Sequence, residues 1–405
     1  MTASPNAAVR VLDPDELRAS HVLFGHALHM GPVDDERWAH SSTVYEPGRT
    51  LGVDGDGGVL AGTAMSFAAE LAVPGGAVPM AAVTRVGVRA DHTRRGLLTA
   101  LMTAQLRDVA ARGEVAATLR ATEARIYGRF GYGVASRGRN LEIRAGARLN
   151  PAAPTGGRVR MVDPEEARTL LPSLYERIRP AARAGAITRT PGWWDLVLHR
   201  GAAHTSARGV AVHTGPDGDD GFAAWSVSRK GAGFAATELE LADLHAGTTA
   251  GAAALWRFLL GIDLLGTVTA RLRPVDEPLD LLLTDPRECT TTGLTDETWL
   301  RLVDVPGAFA ARTWGDAAPV RIRVRDRLLP ANDGVHLAGD KGAGDPGGPT
   351  ELECDVSALA MAYLGDRRPS ELVAAGLWTA HDPAAVTRAD ALFATAEPPW
   401  CGTFF

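Results

Sequence analysis

The chain has 405 residues, a net charge of −6 and a composition of 45% hydrophobic and 22% charged residues. This length predicts two or three domains, and the composition is that of a globular protein. The acidic balance and the lack of a long basic tract argue against a general nucleic-acid-binding protein.

Targeting and redox signals in the sequence are weak. Residues 1–16 contain no apolar signal core, and no run of about twenty apolar residues occurs in the chain. The chain has three cysteines, at positions Cys289, Cys354 and Cys401. Their odd number and wide spacing indicate neither a disulfide framework nor a metal site. We therefore expect a cytoplasmic protein with no membrane span and no bound metal.

The first predicted elements belong to an α/β unit. Asp13 and Pro14 mark the start of a helix that continues to about Leu28, and this helix would flank a cleft. Residues 58–67 predict a strand, which pairs with a second short strand at residues 71–73.

Residues 83–98 carry the strongest local signal. Their first six positions favour a strand, and the apolar spacing from Leu97 onward favours a helix. The turn between them contains Arg94, Arg95 and Gly96. Its backbone N–H groups, the positive end of the helix dipole and two guanidinium groups would together bind a pyrophosphate. The alternative is an exposed turn that merely happens to carry two arginines.

A second segment supports the first of these readings. After a strand predicted at residues 115–119, Tyr127 is followed by Gly131 and Tyr132. The two segments together resemble the acetyl-coenzyme A (acetyl-CoA) site of the GNAT superfamily of N-acetyltransferases. In that superfamily a basic glycine loop holds the pyrophosphate, and a Tyr-x-x-x-Gly-[FY] signature lies near the reacting thioester.

The chain then divides into further units. Pro, Gly and Ala at residues 150–157 indicate a linker. A strand and an Asp163-Pro164 helix start follow, which predicts a second, duplicated α/β unit. The helix predicted at residues 248–260 has no basic turn before it, so this unit would lack a phosphate-binding loop.

The pattern changes again from Leu300. Apolar and basic residues alternate at residues 320–325, as in a half-exposed strand, and a further strand and two helices follow. The Gly- and Asp-rich residues 339–348 predict a mobile loop. These features predict a third unit of the α+β class.

This order of units, which ends in an aromatic C-terminus, resembles the enhanced intracellular survival (Eis-like) family of GNAT N-acetyltransferases over essentially the whole chain. The resemblance implies tandem GNAT-like α/β domains at residues 1–150 and 158–295, the second of them degenerate. A sterol-carrier-protein-like α+β domain would follow at residues 296–405. The resemblance also implies acetyl-CoA as co-substrate, an amine acceptor and a hexameric assembly.

The resemblance also assigns roles to individual residues. Tyr127 matches the family's general acid, and Phe405 matches a C-terminal carboxylate that acts as the base in the first domain. The residues that match coenzyme-binding positions are Val86, Val88, Arg94, Arg95, Gly96 and Leu97. The alternatives are a purely structural Tyr127 and a frayed chain end.

The acceptor pocket is expected to contain Leu28, Met30, Trp38, Arg85 and Phe404. In a strand, Arg85 would face the side opposite to Val86 and Val88, and its charge would disfavour polycations. The alternative for Arg85 is an internal ion pair with Glu123.

Three functions fit the sequence. The first is transfer of an acetyl group from acetyl-CoA to a primary amine of a small molecule or peptide, directly in a ternary complex. The second is an aminoglycoside N-acetyltransferase that confers resistance. The third is a binding protein for an apolar ligand with a vestigial acetyltransferase site, against which Tyr127 and the intact loop at residues 94–96 argue.

Overall fold

The computed structural model describes residues 8–179, 183–199, 207–229, 231, 236–339 and 347–405. These residues form three units: a first half, a second half and a third unit. None of the described helices combines the length and the apolar character that crossing a bilayer requires.

The first half precedes the linker predicted at residues 150–157. Its elements are β1 (Val9–Val11), α1 (Leu17–Ala27), α2 (Asp35–Ser42), β2 (Thr50–Asp54), β3 (Leu60–Val73), β4 (Gly76–Val88), α3 (Leu97–Ala111), β5 (Ala116–Leu119), α4 (Ala124–Tyr127) and β6 (Gly133–Arg144). The short strand expected at residues 71–73 is instead the end of β3. Ala and Glu at residues 68–70 have low strand propensity, but their pairing with β4 carries the strand through them.

The second half repeats the same alternation of strands and helices. Its elements are β7 (Arg158–Val162), α5 (Pro164–Ile178), α6 (Pro191–His199), β8 (Ala207–Gly215), β9 (Gly218–Arg229), β10 (Thr237–Ala246), α7 (Thr249–Leu260), β11 (Thr267–Pro274), α8 (Leu279–Leu282) and β12 (Cys289–Leu302). Helix α7 begins where the sequence predicted, because the Thr248 side chain accepts a hydrogen bond from the Gly251 N–H as an N-cap.

One twelve-stranded sheet joins the two halves, in the order β1-β2-β3-β4-β5-β12-β6-β11-β10-β9-β8-β7. Its centre is an exchange of strands. β6, the last strand of the first half, pairs with β11, and β12, the last strand of the second half, pairs with β5. The boundary expected at residues 295 and 296 therefore falls inside β12, because strand alternation alone does not show which sheet a strand joins.

The third unit is a smaller α+β layer. Its elements are α9 (Val305–Ala311), β13 (Val320–Arg325), β14 (Gly334–Ala338), β15 (Leu352–Asp355), α10 (Val356–Tyr363), α11 (Pro369–Ala374), β16 (Trp378–Ala380) and α12 (Pro383–Phe393). The strands form a sheet in the order β14-β13-β15-β16. The loop predicted at residues 339–348 falls mostly on residues 340–346, which lie outside the described residues.

The third unit packs directly on the first half. One apolar cluster contains Met65 and Phe67 of β3 together with Val320 and Ile322 of β13. Burial of such side chains stabilises the contact by roughly 1.5–3 kcal/mol for each large aliphatic or aromatic residue. The architecture confirms the predicted fold class of two tandem α/β units and a following α+β domain.

Candidate active site

The sheet of the first half opens between β4 and β5. These parallel strands pair from Met80 to Ala82, whereas β4 pairs with β3 as far as Val88. Beyond Ala82, the β4 edge that faces β5 therefore has backbone N–H and C=O groups that β5 does not satisfy. An extended ligand can hydrogen-bond to this free edge as an added strand would.

A β-bulge interrupts the pairing of β4 with β3 along the same stretch of β4. Arg85 and Val86 together oppose the single residue Ala64 of β3, and Arg85 has a φ of 50°. Side chains on either side of the bulge keep their predicted faces, because Gly87 lies against α1 and Val88 packs toward α3. The bulge takes one residue out of the β3–β4 ladder and bends β4, which helps this strand part from β5.

The basic loop follows β4 directly and leads into α3. Gly96, at the start of α3, has a φ of 84°, and a Cβ atom there would meet nothing within 4 Å. Backbone conformation rather than crowding therefore requires glycine at this position. Arg94 is exposed, with no partner among the described residues. Arg95 donates to the Asp56 carboxylate at 3.1 Å, an exposed pair that competes weakly with a ligand.

A cavity of about 420 Å³ lies beside the free edge of β4. Its walls come from α1, α2, β4, the end of β5 and the C-terminus. The predicted site residues that line it are Leu28, Met30, Arg85, Val86, Tyr127, Phe404 and Phe405.

Trp38 differs from the expectation, since it is not among the described residues that line this cavity. Its indole packs against the rings of His21 and Tyr45, with centroids 5.6 and 5.7 Å away. Glu36, Arg37, His40 and Ser41 of α2 do face the cavity. Trp38 lies on the other side of that helix because each residue is rotated by about 100° from the last.

Tyr127 ends the short helix α4 and is buried against the Tyr132 ring, with centroids 6.0 Å apart. Burial raises the pKa of Tyr127 to about 12. In the described part of the chain nothing hydrogen-bonds to its hydroxyl. The phenol therefore keeps its proton at neutral pH and is able to donate it into the cavity.

The turn after Tyr127 is held by a buried arginine. Arg301 of β12 donates to the Phe130 carbonyl at 2.9 Å and pairs with the Asp326 carboxylate at 2.7 Å. Gly131 has a φ of 85°, and a Cβ atom there would lie 2.6 Å from the Arg301 side chain. The glycine of the tyrosine motif therefore permits both the turn and its contact with Arg301.

The chain end is docked at the same cavity. The Phe405 ring packs edge-on against Phe67, with centroids 5.7 Å apart. The indole N–H of Trp193 donates to the Phe404 carbonyl at 2.8 Å. These contacts place the last residue beside Tyr127 and the free edge of β4.

Two charged residues that the sequence analysis missed hold the terminal segment. Arg120 donates to the Thr403 carbonyl at 2.7 and 3.1 Å. Glu297, which is almost fully buried, accepts from the backbone N–H groups of Cys401 and Gly402 at 3.0 and 2.9 Å. The contacting residues are more than 100 positions apart, so the one sequence signal was the position of Arg120 directly after β5.

Arg85 is buried in the wall of the cavity. Its guanidinium lies 4.7 Å from the centroid of the Tyr45 ring and contacts the Met65 sulfur and the Ser41 carbonyl. Glu123, the alternative partner, is an exposed residue outside these contacts. The charge of Arg85 is therefore stabilised locally by a π face and polar atoms.

A parallel strand pair that opens beyond a bulge and leads through a basic turn into a helix defines a GNAT-type acetyltransferase. Family models agree with this class. Two models of the acetyltransferase (GNAT) domain match residues 8–135 and 185–302, and a model of the sterol carrier protein domain matches residues 305–402.

Relatives and solved structures narrow the class further. An uncharacterised N-acetyltransferase of Streptomyces coelicolor is 38% identical over 370 residues, which cover 87% of this chain and 88% of that protein. N-acetyltransferase Eis of Mycobacterium bovis is 35% identical over 358 residues, 85% of each chain. The structure of Eis1 from Mycobacterium abscessus matches with a TM-score of 0.88 and 39% identity, over 98% of this chain and 100% of that chain. The chain belongs to the Eis-like family of GNAT N-acetyltransferases, and it is an acetyltransferase.

Proposed function

We propose that the chain transfers the acetyl group of acetyl-CoA to a primary amine of a small molecule or peptide, directly in a ternary complex. The observation that supports this most is the meeting of three elements in one cavity. They are the free edge of β4, Tyr127 and the last residue, Phe405.

The residues present fit acetyl-CoA, which supplies an acetyl group activated as a thioester. Backbone groups of Val86 and Val88 would hydrogen-bond its extended arm, because this edge of β4 lacks a partner strand. Arg94, Arg95 and the backbone N–H groups that precede Leu97 at the start of α3 would hold the pyrophosphate.

Two residues move the protons of the reaction. The Phe405 carboxylate has a reference pKa of about 3.5 and is ionised at neutral pH, so it takes a proton from the attacking amine directly or through water. Tyr127 gives its proton to the sulfur as the C–S bond breaks and the C–N bond forms. Proton exchange with solvent then restores both groups, without a metal or a covalent enzyme intermediate.

The charge of the cavity bears on the choice of acceptor. Arg37, Arg85 and Arg120 line it, together with Glu36 and Phe405, which carry carboxylates. Glu297 compensates the charge of Arg120 at 3.2 Å, but a polycation would still meet Arg37 and Arg85, so a mono-amine or an amine with an acidic group is the favoured acceptor over an aminoglycoside. A thiol-release assay with one acceptor of each kind tests this order, and faster turnover of the aminoglycoside would reverse it.

The apolar-ligand carrier remains the alternative of another class, and titration calorimetry with acetyl-CoA separates the two. A chain that binds no acetyl-CoA would have a vestigial site.

We also propose a homo-oligomer, hexameric by family resemblance, which light scattering measures directly. The three cysteines are free in the structure, which suits the reducing cytoplasm we propose as its compartment.

The sharpest test of the chemistry compares two tyrosines of one motif. Tyr127→Phe removes the proton donor, so we expect turnover to fall by roughly 10²–10⁴-fold while the affinity for acetyl-CoA stays within twofold. Tyr132→Phe is the matched control, because none of the described residues hydrogen-bonds to its buried hydroxyl and the loss of that hydroxyl costs little. If Tyr127→Phe and Tyr132→Phe have equal turnover, Tyr127 has only a structural role.

A further inference from the structure

The second half contains a cleft built like that of the first half. Strands β10 and β11 run parallel and pair from Glu238 to Leu241. A bulge in β10 then follows, where the register with β9 shifts between Leu241 and Asp243. Both strands continue past this point, to Ala246 and Pro274. The backbone of the second half thus repeats the pairing, bulge and opening of β4 and β5.

The surroundings of the second cleft differ from those of the first. Gly247 and Thr248 alone connect β10 to α7, so the basic loop of the first half has no counterpart here. A cavity of about 930 Å³ lies in the opening, and Trp400 of the terminal segment forms part of its wall.

Trp400 bridges the two strands of the second cleft. Its ring stacks on His245 of β10, with centroids 4.9 Å apart and an interplanar angle of 35°. Its indole N–H donates to the Leu272 carbonyl of β11 at 2.7 Å. The Arg273 guanidinium lies 5.0 Å from the ring centroid. An aromatic side chain therefore lies where the parting strands would otherwise accept an extended ligand.

A buried ionic network continues the contact along the terminal segment. Arg189, whose side chain is fully buried, pairs with Asp243 beside the bulge at 2.6 Å. The same guanidinium donates to the Gly402 carbonyl at 2.9 Å and to the Thr403 hydroxyl at 3.0 Å. It also lies 3.9 Å from the centroid of the Tyr175 ring. The second half thus recognises both the backbone and the side chains of residues 400–403.

We infer that the cleft of the second half is the binding site for the chain's own terminal segment. Its ligand is an indole followed by a short stretch of backbone carbonyls, and not a second coenzyme. The docked residues 400–403 set the position of Phe405 in the cavity of the first half. This last consequence rests on the proposed function, in which the Phe405 carboxylate is the base.

The test uses the full chain and measures the exposure of the terminal segment. Trp400→Ala removes the ring that bridges β10 and β11. We expect hydrogen exchange at the amides of Cys401 and Gly402 to accelerate by roughly 100-fold or more. Trp400→Phe keeps a ring without the indole N–H. The exchange rate of the same amides in this variant should therefore lie between the rates of the wild type and of Trp400→Ala. Acetyl-CoA affinity stays at the wild-type value, whereas turnover falls.

Trp225→Ala is the matched control. Trp225 is a buried tryptophan of β9 whose ring packs on Phe258, so its loss weakens the same half while the Trp400 ring stays in place. Unchanged protection of the terminal amides in Trp400→Ala would overturn the docking site. Equal acceleration in Trp225→Ala would also overturn it. Lost protection with unchanged turnover would support the docking site and overturn Phe405 as the base.

Discussion

The two halves of the molecule have the same arrangement of strands and helices, but they differ in the turn and the side chains at their clefts. Each has a parallel strand pair, a bulge and a helix that follows the first strand of the pair. In the first half residues 89–96 provide a basic turn, and the cleft leads into an open cavity. In the second half two residues make the turn, and Trp400 bridges the strands and forms part of the wall of the cavity there. The comparison shows that a duplicated fold keeps its geometry while loops and side chains decide its role.

The largest effect is expected where the two halves cooperate, at the chain end. Two residues appended after Phe405 would replace its carboxylate with a neutral amide, and we expect turnover to fall by roughly 10²–10⁴-fold. Acetyl-CoA affinity, measured by calorimetry, should not change. The same two residues added before Met1 serve as the control. Full activity of the C-terminally extended protein would remove Phe405 from the mechanism.

The next largest effect concerns acetyl-CoA binding by the basic loop of the first half, and its control tests whether charge elsewhere on the surface contributes as much. Replacing Arg94 and Arg95 together by Ala should raise the dissociation constant for acetyl-CoA by roughly 10–100-fold, because exposed charge-assisted contacts are lost. The control replaces Arg144 and Arg271, whose side chains are both 78% exposed. It changes the net charge equally and should leave the constant unaltered. If both double variants lose a similar amount of acetyl-CoA affinity, the loop contributes only general electrostatic attraction.

The smallest effect concerns the stability of the second half. Burial raises the pKa of Asp243, but Arg189 and His245 outweigh burial and hold this pKa well below its usual range. The ionised carboxylate therefore stabilises the fold above about pH 4, and this contribution is lost as the pH falls below that value.

Asp243→Asn tests this contribution by denaturant unfolding. At pH 7 the variant should be less stable than the wild type by roughly 1–3 kcal/mol, and the gap should narrow as the pH falls from about 4 toward 2. Asp219→Asn, at a partly exposed carboxylate of the same half, is the control and should show a smaller gap. A gap for Asp243→Asn that stays constant between pH 7 and pH 2 would contradict the role of this ion pair.

Much of the local structure could be predicted because nearby residues determine it. The N-cap of Thr248 and the apolar spacing after it define α7, and Gly96 marks the start of α3. The tyrosine motif was recognisable for the same reason, since its glycines serve a turn of a few residues.

The rest depends on partners that lie far away in the chain. The exchange of β6 and β12, the bulge at Arg85 and the bridge from Arg120 to Glu297 each require a strand from another part of the sequence. Trp38 was misplaced because a short helix can present either face until its neighbours are known. The docking of Trp400 had no signal beyond an aromatic residue near the chain end.

We propose that one half binds the coenzyme while the other half binds the chain end. Hydrogen exchange of the full chain with and without acetyl-CoA tests this most directly. We expect slower exchange at residues 83–88 and 93–97 in the presence of acetyl-CoA, with no change at residues 242–251. Protection of residues 242–251, or no protection at residues 83–88, would contradict it.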